Sequence, residues 1–430
     1  MNQPTSLVRV MGRWSLVALV VNSIIGSAIF GLPGEVAALL GKYSPLGYLA
    51  AAAGVALVIA TFAEVSSRYS AAGGPYLYAR DAFGSFVGIQ MAWILWLVRL
   101  TAVASGANLF VIYLAEFWPA ASDPVTRALI LTVVIGGLAA VNIRGAAAGA
   151  GLSNVFAISK LTPLAIFIVA GGAFLALGSA TAHFGAMEAK AGVQPWLEAV
   201  LILVFAYGGY ESALVPMAEA KDPKRDAPFA LFAALVICIV VYTLVQVVVM
   251  GLLPDPSLTK RPLATAAREF WGTGGAVLMT AGALVSLYGY LAANTLNTPR
   301  LTFALAEHRD FPQIFAAVHP KFRTPYVSIA VYATVVLTLS IIGTFKWNLM
   351  LSSVGRLFSY LIVFAALFVL RRRDGNAPFH VPGGKIFAVL GVLFCFALIT
   401  QMGLGQVVVM LITAGLALIT WLWARTQKQA

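Results

Sequence analysis

The chain has 430 residues, 60% of them hydrophobic and only 10% charged, with a mean hydropathy of +0.90. One globular core cannot hide that much apolar surface, so the composition excludes a water-soluble domain and indicates an all-α integral membrane protein. The formal net charge of +12 raises nucleic acid as a partner, but the basic residues are distributed as membrane loops require, and no nucleic acid is expected.

Apolar blocks run over roughly 13–40, 45–66, 86–117, 126–142, 152–178, 196–218, 228–253, 273–305, 325–345, 348–370, 385–401 and 404–424. Each is near or above the ~20 residues a helix needs to cross a bilayer, which predicts twelve transmembrane helices in a single transmembrane domain spanning 1–430. The first block carries no small-residue cleavage site and is expected to stay in the mature chain. Within it, NSIIGSAIFGLPG (22–34) is interrupted by the helix-poor run Gly26-Ser27-Ala28. A broken helix in lipid leaves backbone N–H and C=O groups unpaired, which is tolerable only where they face a cavity or a ligand.

Between the second and third blocks, SSRYSAAGGPYLYARDAFGS (66–85) predicts a short loop and an interfacial helix. The sixth block repeats the break of the first. In VFAYGGYES (204–212), Gly208 and Gly209 interrupt the helix just before a lone acid, Glu211. Paired breaks in matching positions point to a transporter, because exposed amides suit an anion and exposed carbonyls a cation, and together they hold a zwitterion. The segment AEAKDPKRDAP (218–228) is either a solvated turn or a latch in which Lys221, Lys224 or Arg225 meets Asp81 or Glu64. Blocks 1 to 5 (about 13–178) and 6 to 10 (about 196–370) form two inverted repeats on this reading, with about 385–424 as two added helices.

With the N-terminus in the cytoplasm, seventeen Lys/Arg fall on inner loops and seven on outer ones, so both termini are expected to be cytoplasmic in a multi-pass protein of the plasma or inner membrane. Arg99, Lys160, Arg300 and Arg356 lie within the blocks. An intramembrane charge costs about 2.5–3.5 kcal/mol on insertion scales unless paired or solvated, so these four demand an explanation. Arg300 and Arg356 lie nearer span ends and are expected to be structural. Cys238 and Cys395 lack any motif, and the four histidines fall in loops or at span ends, so no metal, cofactor or catalytic centre is expected.

Four stretches in order resemble the amino acid–polyamine–organocation (APC) transporter superfamily: NSIIGSAIFGLPG, AEVSSRYSAAGGPYLYARDAFGSFVG, FAYGGYESALVPMAEAKDPKRDAP and PRLTFALAEHRDFP. The resemblance covers nearly the whole chain. It implies the five-plus-five inverted-repeat (LeuT-like) fold with helices 1 and 6 broken, and alternating access around a mid-membrane amino acid. The Gly26, Ser27 and Ala28 amides are similar to a substrate-carboxylate site, although Ala28 stands where the family usually has glycine. Carbonyls around Ser23 and Ile24, and around Phe205, Ala206 and Gly208, resemble acceptors for the substrate ammonium, and Phe205 resembles an aromatic gate.

Lys160 matches a lysine of proton-coupled or sodium-independent members, as a proton carrier or a fixed cation. Glu211 matches a glutamate of arginine/agmatine antiporters, as a proton acceptor or a structural strut. Arg99 departs from those antiporters, which have a small residue at its position. It either pairs with Glu211, meets a substrate carboxylate or packs against another helix, and in the pocket it disfavours dicationic substrates. The expected function is secondary transport of neutral amino acids, proton-coupled, by uptake or exchange. A polyamine or cationic amino acid antiporter is the rival within transport, and a non-transporting amino acid receptor the rival outside it. An enzyme is not expected.

Overall fold

The computed structural model describes residues 11–69, 73–145, 152–178, 182–185, 187–215 and 220–429, the side chains of 152–160 and 427–429 excepted. Regular structure among them is helical, apart from an isolated bridge between Met11 and Ala220. The first apolar block forms α1 (Arg13–Ile24) and α2 (Ala28–Leu40), separated at Ile25–Ser27. Then come α3 (Ser44–Ser66), the short α4 (Gly74–Phe83), α5 (Ser85–Leu114), α6 (Pro124–Arg144) and α7 (Leu152–Ala176). The second broken block forms α8 (Gln194–Tyr207) and α9 (Tyr210–Ala213), and α10 (Pro223–Leu252) follows. The remainder is α11 (Pro262–Glu307), α12 (Tyr326–Ile342), α13 (Phe345–Asp374), α14 (Gly384–Ile399) and α15 (Leu404–Gln429).

Local sequence explains these limits. Proline opens α6, α10 and α11, where its missing N–H costs nothing and its fixed φ suits the first turn. Gly272, at φ 61°, divides α11 into a short arm and a long span that coincides with the apolar block beginning at 273.

Seven helical stretches among the described residues are long and apolar enough to cross a membrane, and α1, α12, α14 and the described part of α7 are shorter apolar helices. The broken first and sixth blocks are divided into pieces too short to cross alone, so helix length does not by itself yield twelve crossings. The core is built where α5 packs along α13 and α11, and where α10 packs against α3 and α1. α6 and α15 instead present Val125, Val133, Leu411 and Ile419 outward, as lipid-facing helices do.

Candidate functional site

The two breaks meet at the centre of this core. Ile24 ends α1 and Ala28 begins α2, so the last carbonyls of one half-helix and the first amides of the next lack intrahelical partners and carry opposite partial charge. The buried Ser27 hydroxyl has no hydrogen-bond partner among the described residues. The Tyr290 ring of α11 lies between this break and α5: a methyl at Gly26 would stand 3.7 Å from Cε2, and one at Gly106 only 3.0 Å from Cε1.

At the second break, Gly208 is extended and Gly209 adopts φ 114°, a left-handed conformation that favours glycine. Space enforces the choice as well. A Cβ on Gly209 would lie 2.2 Å from the Ser23 carbonyl oxygen, and one on Gly208 2.3 Å from Arg356 Nη1. The breaks therefore pack backbone to backbone. Tyr242 of α10 fastens them, its hydroxyl lying 3.1 Å from the Ile24 carbonyl oxygen and 2.9 Å from that of Ala206.

Glu211 accepts from three donors. Its Oε2 accepts the Gly209 N–H (2.6 Å), while Oε1 accepts Arg356 Nη1 (2.5 Å) and the Tyr360 hydroxyl (3.0 Å). Both ion-pair partners are buried. Such a pair is stable only with well-placed additional hydrogen bonds; the amide and the phenol supply them to the carboxylate, while the buried Arg356 Nε has no partner among the described residues. Arg99 lines a cavity of about 30 Å³ with Glu211, Arg356, Ser212 and Leu305, and it makes no hydrogen bond or ion pair among the described residues.

Most of the expected site residues gather here. Gly26, Ser27 and Ala28 open α2, and the Ser23 hydroxyl turns back to the Leu19 carbonyl (2.8 Å), leaving its backbone at the interface. Phe205 and Ala206 are buried at the end of α8, where the Phe205 carbonyl accepts the Gly208 N–H (3.3 Å). Lys160 lies on α7, but its side chain is outside the described residues.

Arg356 is not a span-end residue: it lies well inside α13, buried, and it, not Arg99, is the partner of Glu211. The signal for it was a polar stripe, Ser352, Arg356, Ser359 and Tyr360, along one face of an otherwise apolar helix. Tyr242 and Tyr290 carried no comparable signal.

Both mouths are tied by ions. On the face holding the chain's first described residues, Arg371 grips Glu64 with two hydrogen bonds of 2.6 Å, Arg373 meets Asp81 at 2.8 Å and Arg13 meets Asp226 at 3.1 Å. The Arg373 guanidinium, joined by the Tyr69 hydroxyl, holds the Asp81 carboxyl below its ordinary pKa. The expected latch partners of Asp81 and Glu64 are thus replaced by arginines at the end of α13. On the other face, Lys346 lies 2.9 Å from Glu198 of α8 and 3.5 Å from Glu35 of α2.

Residues 11–425 match the family model described as amino acid permease. An uncharacterized transporter of Mycobacterium tuberculosis is 31% identical over 94% of this chain and 88% of its own length. The serine/threonine exchanger SteT of Bacillus subtilis is 27% identical over 92% and 91%. Among solved structures, Mhp1, a nucleobase-cation-symport-1 family transporter in a closed conformation with bromovinylhydantoin bound, aligns with 99% of this chain and 96% of its own at a TM-score of 0.57 and 18% identity, a likeness of fold. That fold is the five-plus-five inverted repeat with its first and sixth helices broken. The chain is a member of the amino acid permease family, in the amino acid–polyamine–organocation superfamily of membrane transporters.

Proposed function

We propose that this permease is a secondary transporter of amino acids without cationic side chains, working by alternating access in the cell membrane with both termini cytoplasmic. The observation that carries this is the junction of two breaks of opposed polarity, fastened by Tyr242. The substrate carboxylate meets the amides of Gly26, Ser27 and Ala28. Its ammonium meets carbonyls of Ser23, Ile24, Phe205, Ala206 and Gly208, and the Phe205 ring closes over it. The repeats of about 13–178 and 196–370 move against each other, and twelve crossings follow if each broken block makes one.

Two further points support the choice of side chain. Arg99 brings a positive charge to the cavity beside the second break, and Glu211, the main argument for polyamines, is already neutralised by Arg356. The relative named a serine/threonine exchanger agrees with a small uncharged substrate. Lys160 is the proposed coupling residue, able to exchange a proton as water access changes.

The test is reconstitution in liposomes. One labelled amino acid is competed against the twenty amino acids and common polyamines, then followed under imposed pH and sodium gradients in wild type and Lys160→Ala. Amino acids without cationic side chains should compete best, and the variant should lose the pH response. Putrescine or arginine competing best would establish the antiporter reading instead, and a variant with unchanged pH response would remove Lys160 from coupling.

A further inference from the structure

The charged lining of this cavity consists of Arg99, Arg356 and Glu211. Glu211 and Arg356 neutralise each other at 2.5 Å, and Glu211 also accepts from Tyr360 and the Gly209 amide. Arg99, partly buried, keeps a full positive charge and five donors; the Glu211 carboxylate acts on it electrostatically, but it makes no hydrogen bond or ion pair among the described residues. The arginine sits in the middle of α5, half a bilayer from either end of a 30-residue helix, so it cannot reach bulk water by extending along the surface. A guanidinium does not discharge by losing its proton, and an uncompensated one in a low-dielectric interior is strongly unfavourable. The cavity has a volume of about 30 Å³, enough to hold a small polar occupant.

We propose that Arg99 holds a compact monoanion in this cavity, on the path between the helix breaks and the face where Asp81 and Glu64 lie. The chemistry required is a single concentrated negative charge able to accept from a planar guanidinium. Two sources supply it: the side-chain carboxylate of an acidic substrate, or a chloride bound alongside a neutral one. This deepens the amino acid reading, because it turns the residue that repels cations into one that binds an anion.

The experiment measures anion binding directly, without relying on transport. Full-length protein in detergent is titrated at constant ionic strength with sodium chloride, sodium acetate, L-aspartate or L-alanine against the sodium salt of a bulky sulfonate, with thermal unfolding followed in each case. An anion bound to the folded state raises the midpoint saturably. Wild type should show this with chloride or with aspartate, and Arg99→Gln should need at least about tenfold more of the same anion, the loss of one charge-assisted hydrogen bond. Arg99→Lys, which keeps the charge, should recover part of the response and guards against a Gln variant that fails to fold.

Saturation by chloride and acetate with an added response to L-alanine identifies a companion anion. Saturation by L-aspartate at concentrations where acetate and chloride do nothing identifies a substrate carboxylate. No saturable response to any anion in the wild type, or an equal response in Arg99→Gln, overturns the proposal. Failure of every amino acid to compete in liposomes, with the anion response intact, would sink the amino acid reading and leave the anion site standing.

Discussion

Arg356 Nη1 lies 2.5 Å from Glu211 Oε1, and its guanidinium fills the space where Gly208 would carry a side chain. One arginine thus fixes α13 to the break between α8 and α9. Removing one partner of a buried, hydrogen-bonded pair leaves the other charge stranded and typically costs about 3–5 kcal/mol. Arg356→Ala and Glu211→Ala should therefore each lower the unfolding midpoint sharply. The double variant should lose less than the two single losses combined, because neither charge is left behind. Strict additivity in thermal unfolding would show that the two side chains do not depend on each other.

Lys346 bridges Glu198 and Glu35, joining the ends of α13, α8 and α2 at one mouth of the site. All three groups are about one-third exposed, and exposed ion pairs contribute about 0–1 kcal/mol each. The expected effect of Lys346→Met is accordingly a shift in population, about fivefold toward the state open at this mouth, with little loss of stability. A cysteine at Ala38, on the same end of α2, reports it through the rate of labelling by a membrane-impermeant maleimide. An unchanged rate would mean that the bridge does not close the mouth.

The two breaks were legible in the sequence because Gly26-Ser27 and Gly208-Gly209 interrupt apolar runs that otherwise have every reason to stay helical. Span limits were legible for the same reason, and the kink at Gly272 fell where the apolar block began. The partners of the charges were not. Glu211 could be placed at a break from sequence, but which of the three intramembrane arginines reaches it depends on how α5, α11 and α13 cross, and no local pattern encodes that. The latch failed similarly: Asp81 and Glu64 were sound candidates, yet the arginines that meet them come from the far end of α13, nearly three hundred positions along the chain or more. Tyr242 was invisible because a tyrosine in an apolar helix looks like ordinary packing.

Asp81 offers a test by pH. Its carboxyl is held below its ordinary value, first by the hydrogen bond from Arg373 and also by that from Tyr69. A lowered acid favours the folded state while it is ionised, so this contact contributes fully above the ordinary aspartate value, about 3.9, and is lost as pH falls through the lowered one. Thermal unfolding from pH 7 down to about pH 3 should show a loss at the acid end that is smaller in Asp81→Asn, whose midpoint is already lower at pH 7. High salt should shrink the difference, since the pair is solvent-exposed. Parallel acid profiles for the two proteins would remove Asp81 from the acid response.

Orientation follows from Lys190 and Asp374, two exposed residues on opposite faces. With both termini cytoplasmic, a cysteine at 190 should react with an impermeant reagent added to intact cells and one at 374 should not. The reverse pattern would invert the molecule and exchange the roles of its two ionic mouths.

Tyr242 provides the sharpest test of the junction itself. Its ring packs edge-on against Tyr207 at 5.4 Å and tilted against Tyr48 at 6.1 Å, so Tyr242→Phe keeps the packing and removes only the hydroxyl. The Ile24 and Ala206 carbonyls then lose a shared donor in a buried setting, worth about 1–3 kcal/mol, and the unfolding midpoint should fall accordingly. The same carbonyls are proposed to receive the substrate ammonium, and the hydroxyl is what holds their two half-helices in register. Apparent affinity for the best amino acid should therefore fall about tenfold, while competition among side chains keeps its order, since the change touches only groups that meet the backbone of the substrate. A variant with a lowered midpoint and unchanged affinity would make Tyr242 a fastening of the fold alone and move the ammonium site away from these carbonyls.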